Sequence, residues 1–229
     1  AGIAVTNTPG AVTDATADIA VTLILMAARR ASEGERLVRS GAWTGWMPTQ
    51  LLGMHVTGKT VGIIGMGRIG KAVARRCHHG FGMRVVFHNR SRVEDVDLPA
   101  EQLGGLHAVL AEADIVVVCV PGGAGTHHLI DGAALAAMRP HAVFVNVSRG
   151  DVVDEAALIS ALEERRIAAA GLDVYEHEPV VPEALRRLEN TALLPHLGTA
   201  AQEVREAMGL MALENAIAVA DGREPPNPV

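Results

Sequence analysis

The sequence predicts an α/β fold: a doubly wound parallel sheet with helices on both faces. Three observations predict it. Apolar runs of strand length recur between about residues 60 and 195, and they are continuous rather than alternating, as in strands buried on both faces. Helix-like segments separate these runs. The composition is 49% hydrophobic and only 3% aromatic, so the core must be packed from Val, Ile, Leu and Ala.

The elements follow in order. Asp14 reads as the N-cap of "ATADIAVTLILMAARRASEGERLVRSG", one or two helices ending at Gly41. The first half of that segment is apolar almost all round, which predicts burial on several sides. Residues 41–58 read as a loop holding Trp43 and Trp46. Strand 60–66 is followed by helix 68–80, closed by Gly80, and then strand 83–89. Residues 99–113 read as mostly helical. Strand 114–120, helix 132–140 stopped by Pro140, strand 142–148, helix 154–166 and strand 167–174 come next. A short helix 182–189, a last strand 191–195 and a final helix 202–222 complete the chain, giving six strands.

The bulk numbers exclude several classes. A net charge of −6 gives no electrostatic case for nucleic acid or an anionic membrane surface. The most apolar stretch, residues 19–28, is too short to span a bilayer and runs into Arg29 and Arg30. No signal peptide is visible, so a cytoplasmic protein is expected. Cys77 and Cys119 fall in apolar segments and read as small buried hydrophobes rather than a disulfide. The pairs His78-His79 and His127-His128 lack further ligands at suitable spacing, so capping or surface roles are expected and no metal.

"GMGRIG", residues 65–70, has G-x-G-x-x-G spacing between a buried strand and a helix. Gly65 allows the tight turn, Gly67 lets backbone approach a pyrophosphate, and Gly70 permits close helix–strand packing. The N–H groups near Arg68 and Ile69 would then point at phosphates from a helix N-terminus. This predicts a bound dinucleotide.

The next strand ends in "FHNRS", residues 87–91. An acid there would hold the ribose hydroxyls of NAD, and an arginine would accept the 2′-phosphate of NADP. Asn89, Arg90 and Ser91 supply donors and a positive charge, so NADP is expected. NAD remains the alternative, because Glu94 and Asp95 follow closely.

Three later strands each end in a polar residue: Arg149 after 142–148, Asp173 with Glu176 and Glu178 after 167–174, and His196 after 191–195. Ligands of a parallel sheet bind outside the carboxyl ends of its strands, so these groups share an edge with the glycine loop. A fixed cation, a carboxylate and an imidazole beside a nicotinamide suit carbonyl reduction of an anionic substrate. The residues alone leave open whether Glu176 or Glu178 partners His196.

"NVSRGDVVDEAAL", "GLDVYEHEP" and "LLPHLG", taken with "GMGRIG", resemble the signatures of the D-isomer-specific 2-hydroxyacid dehydrogenase family in order and spacing. The resemblance implies that Arg149 binds the substrate's carboxylate and carbonyl. It makes His196 the general acid/base, paired with Glu178, and gives the nicotinamide carboxamide to Asp173. Within the family the arginine-bearing segment is most similar to NADPH-dependent glyoxylate/hydroxypyruvate reductases. NAD-dependent members acting on 3-phosphoglycerate, lactate or glycerate, and a dinucleotide-sensing corepressor, are the alternatives. "VPGGAGTHH", 120–128, departs from the commoner family loop by its glycines.

The resemblance also implies a division of the chain. Residues 1–9 read as an inter-domain segment. Residues 10–196 read as the dinucleotide domain, with a homodimer arm at about 14–55. Residues 197–229 read as the C-terminal helix and tail of a second domain. The first part of that second domain, roughly a hundred residues in the family, is not recognised in this chain, so cofactor binding with little turnover is expected of it.

Overall fold

The computed structural model describes residues 2–229. Strands β1 (Thr60–Ile64), β2 (Arg84–His88), β3 (Ala100–Gln102), β4 (Ile115–Val118), β5 (Val143–Asn146), β6 (Ala169–Leu172) and β7 (Thr191–Leu193) form one sheet. Its order is β3-β2-β1-β4-β5-β6-β7, and every pairing is parallel. The chain therefore leaves β1 in one direction and returns to its other side at β4. That reversal opens a crevice at the carboxyl ends of the strands.

Successive strand residues point to opposite faces, and each face has its own apolar layer. Val61, Ile63, Val85, Phe87, Ile115 and Val117 pack with helices α1 (Thr13–Ala28) and α3 (Arg68–Arg75). Ile64, Val86, Val116, Val118 and Phe144 pack against α4 (Leu106–Glu112), α5 (Gly132–Ala136) and α6 (Glu155–Glu163) on the other face. This two-sided burial is why the central positions of β1, β2, β4, β5 and β6 are apolar on both faces. Asp131 and Asp154 cap α5 and α6, each accepting a backbone N–H three residues on, from Ala134 (2.8 Å) and Ala157 (2.9 Å).

Four expectations are corrected. The segment expected to be mostly helical over 99–113 opens instead with the edge strand β3, and only Leu106–Glu112 is helix. Ala-Glu-Gln carries no apolar run, and pairing with β2 makes it a strand, so the sheet has seven strands rather than six. Asp14 is not a cap: α1 starts at Thr13, and Asp14 lies in its first turn, 3.0 Å from Arg76. An acid there still favours the helix, through its dipole. The helix after the glycine loop is α only to Arg75 and widens into a π turn over Arg76–Gly80. Finally, α1 is buried along one stripe, Thr16, Ala17, Ala20, Leu23, Ile24, Ala27 and Ala28, because it lies on a single sheet face. Ile19, Val21, Leu25 and Met26 are only partly covered.

A break at Arg30, in the left-handed region, separates α1 from α2 (Ala31–Arg39). The loop beyond leaves Trp43 and Trp46 exposed at 51% and 79%. A short helix α7 (Glu183–Arg187) precedes β7, and the long α8 (Gln202–Ala220) follows it. Leu210, Leu213 and Ile217 of α8 are exposed. Both chain ends meet beside α8: Thr6 bridges Pro228 antiparallel, and buried Asn215 bonds Asn7 and Asn227. Cys77 and Cys119 are free thiols, and burial pushes Cys77 up to about 12. No helix of the described residues is long and apolar enough to cross a membrane.

Candidate active site

The glycine loop joins β1 to α3. Gly65 stands at φ +97°, and a Cβ on Gly70 would lie 2.2 Å from the Gly65 carbonyl oxygen, so both positions exclude a side chain. At Gly67 a Cβ would meet nothing within 4 Å: the backbone is open on that side. Arg68 and Ile69 begin α3. Gly67, Arg68 and Ile69 line a cleft of about 850 Å³ with Pro121, Gly122, Ser148 and Arg149. Open backbone at a helix N-terminus fits a dinucleotide's pyrophosphate.

Arg149 is held from behind. The Asn146 carboxamide folds back over the strand exit, accepting from Ser148 N–H (3.0 Å) and Ser148 Oγ (2.7 Å) and donating to the Arg149 carbonyl (3.0 Å). Among the described residues the guanidinium makes one hydrogen bond, to the Ser148 carbonyl at 2.7 Å, and its remaining N–H groups have no partner there. A Cβ on Gly122 would lie 2.8 Å from the Arg149 side chain, so that loop glycine makes room for the arginine.

Gly150 joins this turn to the next. A Cβ there would sit 1.8 Å from the Tyr175 carbonyl oxygen, so the backbones after β5 and β6 touch. Tyr175 N–H donates to Glu178 Oε1 at 3.1 Å, and its hydroxyl donates to the Leu194 carbonyl at 3.0 Å. Glu178 Oε2 accepts from His196 Nδ1 at 2.8 Å. The structure thus settles which acid meets the imidazole. Glu176 instead accepts from His128 Nε2 at 2.8 Å and exchanges backbone contacts with buried Glu155. Glu176 holds the His128 imidazole above its ordinary range, and His128 holds the Glu176 carboxyl below its own. Burial pushes the Glu155 carboxyl up.

Asp173 is 2% exposed. Its two oxygens accept from Leu197 N–H (2.7 Å) and Gly198 N–H (2.8 Å), and its own carbonyl accepts His196 N–H (2.9 Å). Burial pushes its carboxyl up, against those two backbone bonds. Asp173 therefore shapes the turn that carries His196, which stands at φ +56°.

At the other end of the crevice, Asn89, Arg90 and Ser91 follow β2. Arg90 is exposed and makes no hydrogen bond or ion pair among the described residues. The nearby acids are engaged: Asp95 with Lys71 at 2.8 Å, and Glu94 with Arg92 at 3.6 Å. The histidine pairs behave as packing and bonding groups: His78 Nδ1 lies 3.0 Å from the Met83 carbonyl, and His127 stacks on His128. No cluster suited to a metal ion occurs among the described residues.

Residues 21–198 match the family model described as D-isomer specific 2-hydroxyacid dehydrogenase, NAD binding domain. The chain belongs to the D-isomer specific 2-hydroxyacid dehydrogenase family. Its members are NAD(P)-dependent oxidoreductases. It is 46% identical over 234 residues to the glyoxylate reductase of Thermococcus litoralis, covering 99% of this chain and 70% of that protein. The crystal structure of the NADPH-dependent glyoxylate/hydroxypyruvate reductase of Sinorhizobium meliloti, in complex with NADP and malonate, superposes with a TM-score of 0.92 at 40% identity, over 100% of this chain and 70% of that one. The holo D-mandelate dehydrogenase of Rhodotorula graminis gives a TM-score of 0.91 at 34% identity, over 100% and 68% of the two chains.

Asn146, Gly122 and Gly150 were not singled out by sequence reasoning. The signal for Gly150 was present in "SRG", but only the contact with Tyr175 gives it meaning.

Proposed function

We propose that this protein reduces a small 2-keto acid of the glyoxylate/hydroxypyruvate type to the D-2-hydroxy acid with NADPH. The observation that carries this is the Glu178–His196 pair at 2.8 Å, held beside the turn that presents Arg149. The cofactor, when bound, supplies hydride to the keto carbon.

The chain's own residues do the rest. Arg149 has free N–H groups for the substrate's carboxylate and carbonyl, and its charge makes that carbonyl more electrophilic. Glu178 occupies His196 Nδ1, which leaves Nε2 to give a proton to the carbonyl oxygen. The carboxylate fixes the orientation of the ring for that transfer. In the oxidising direction the same nitrogen takes the proton back. Asp173 orients the His196 turn and offers lone pairs to the nicotinamide carboxamide. Gly65, Gly67, Arg68, Ile69 and Gly70 would hold the pyrophosphate.

NADPH is preferred over NADH in this reading because Arg90 is free while Glu94 and Asp95 face basic partners. The alternative is an NAD-dependent member acting on 3-phosphoglycerate, lactate or glycerate, with those acids released toward a ribose. The partly covered outer side of α1 and the exposed Trp43/Trp46 loop support a homodimer built through about residues 14–55. Residues 10–196 would form the cofactor domain, with 1–9 and 197–229 belonging to a second unit.

The test is consumption of NADPH and of NADH with glyoxylate and with hydroxypyruvate, alongside direct titration of both dinucleotides. Preferential use or binding of NADPH, lost in Arg90→Ala, is expected. Preference for NADH, with NAD-dependent oxidation of D-lactate or 3-phosphoglycerate, would establish the alternative.

A further inference from the structure

The loop that bears Arg90 has little of its own to hold it. Among the described residues, none of 90–98 takes part in a backbone–backbone hydrogen bond. Its far half is tied to α3 by two exposed ion pairs, Lys71–Asp95 and Arg75–Asp97, both 2.8 Å. Exposed pairs of this kind constrain weakly. Its near half packs Val93 against the core and is tied to β3 by the hydrogen bonds of one side chain. Gln102, at the end of edge strand β3, accepts from Val93 N–H at 3.0 Å and donates to the Ser91 carbonyl at 3.0 Å and the Asn89 carbonyl at 3.5 Å. Asn89 adds a bond within the loop, donating to the Ser91 carbonyl at 3.1 Å. Together they bend residues 89–93 around one carboxamide and leave Arg90 and the Ser91 side chain exposed. A cleft of about 580 Å³ lies here, lined by Asn89, Arg90, Ser91, Gln102 and Leu103.

We propose that Gln102 is the positioning residue for the adenosine end of the cofactor, setting selectivity for the 2′-phosphate by holding Arg90 and Ser91 in place. The proposal rests on the NADPH reading above. A guanidinium on a loop already in its binding shape loses less freedom when it grips a phosphate. NADH lacks that phosphate and makes no call on Arg90, so the shape of the loop matters less to it. Gln102 touches neither the glycine loop nor the Arg149–His196 end. Its effect should therefore appear in the ratio of the two affinities, not in both alike.

The experiment is fluorescence titration of the full chain with NADPH and NADH for wild type, Gln102→Leu, Gln102→Glu and Arg90→Ala. Gln102→Leu keeps the bulk and removes all three bonds. It should weaken NADPH binding about tenfold and NADH binding by less than about twofold. Gln102→Glu keeps the acceptor for Val93, loses the donor to Ser91 and adds negative charge. It should weaken NADPH more than the leucine does and again spare NADH. A wild-type NADPH:NADH ratio in both Gln102 variants overturns the proposal, and so does an equal loss for both dinucleotides, which is the mark of a purely structural role. If Arg90→Ala collapses the ratio while the Gln102 variants do not, this proposal fails and the cofactor reading stands. A wild type without preference for NADPH removes both.

Discussion

The two ends of the crevice are built in different ways. At the catalytic end, the turns after β5, β6 and β7 lock through backbone: Gly150 against Tyr175, Asp173 on Leu197 and Gly198, and Asn146 over Ser148 and Arg149. At the adenosine end, the loop after β2 is bonded by the Gln102 and Asn89 carboxamides and two surface ion pairs, with Val93 and Val96 packed beneath it. Buried backbone contacts resist change, because a displaced donor or acceptor has no water to turn to. Exposed side-chain contacts can be rewritten residue by residue. The arrangement lets chemistry stay rigid while cofactor choice stays adjustable, and each half of that statement can be broken by mutation.

The largest effect should come from His196→Ala. Loss of the proton donor should lower turnover about a thousandfold, roughly 4 kcal/mol of transition-state stabilisation. NADPH affinity should stay within about twofold, read by titration. A variant that keeps turnover would remove His196 from the chemistry.

Next is Gly150→Ala. A methyl group 1.8 Å from the Tyr175 carbonyl must part the two turns. A loss of about 3 kcal/mol in urea denaturation is expected, with turnover falling too. Wild-type stability would show that the catalytic end is looser than the contact implies.

Arg90→Ala should leave stability unchanged, since the guanidinium has no partner among the described residues. It should cost NADPH about 1.5–3 kcal/mol of binding, as for a charged hydrogen bond, and NADH almost nothing. A stability loss would blur the contrast between the two ends.

The smallest effect concerns the link between the Gly-rich loop and the catalytic turn. Glu176 raises the His128 pKa above its ordinary 6.5, so that contribution is complete below 6.5 and fades as pH rises through the higher folded value. His128 lowers the Glu176 pKa below 4.5, so its contribution is complete above 4.5 and fades as pH falls through the lower folded value. The pair therefore works fully between 4.5 and 6.5. In melting curves the deficit of His128→Gln relative to wild type should be largest in that window and shrink at alkaline pH. A deficit independent of pH would mean that packing on His127, not charge, is what His128 supplies.

What was legible in the sequence was written in local chemistry. Six strands showed themselves because burial on both faces makes their central residues a continuous apolar run. The glycine loop was visible because Gly65 and Gly70 occupy positions where a side chain cannot fit. Arg149, Asp173 and His196 could be set on one edge because parallel strands all end on the same side. β3 was invisible because Ala-Glu-Gln on a sheet edge carries no apolar run and takes its conformation from β2 alone.

The sequence by itself determined the doubly wound sheet, the dinucleotide loop and the edge on which the polar residues gather. These follow from periodicity and side-chain volume, which neighbouring residues carry among themselves. The family resemblance had paired Glu178 with His196; only the tertiary structure decided that Glu176 turns to His128, that Gly150 touches Tyr175, and that Gln102 bonds the Arg90 loop. The physical reason is that each is a contact between segments from different strands. Whether such groups meet to within a hydrogen bond depends on register and on the close packing of the sheet, which no local pattern encodes.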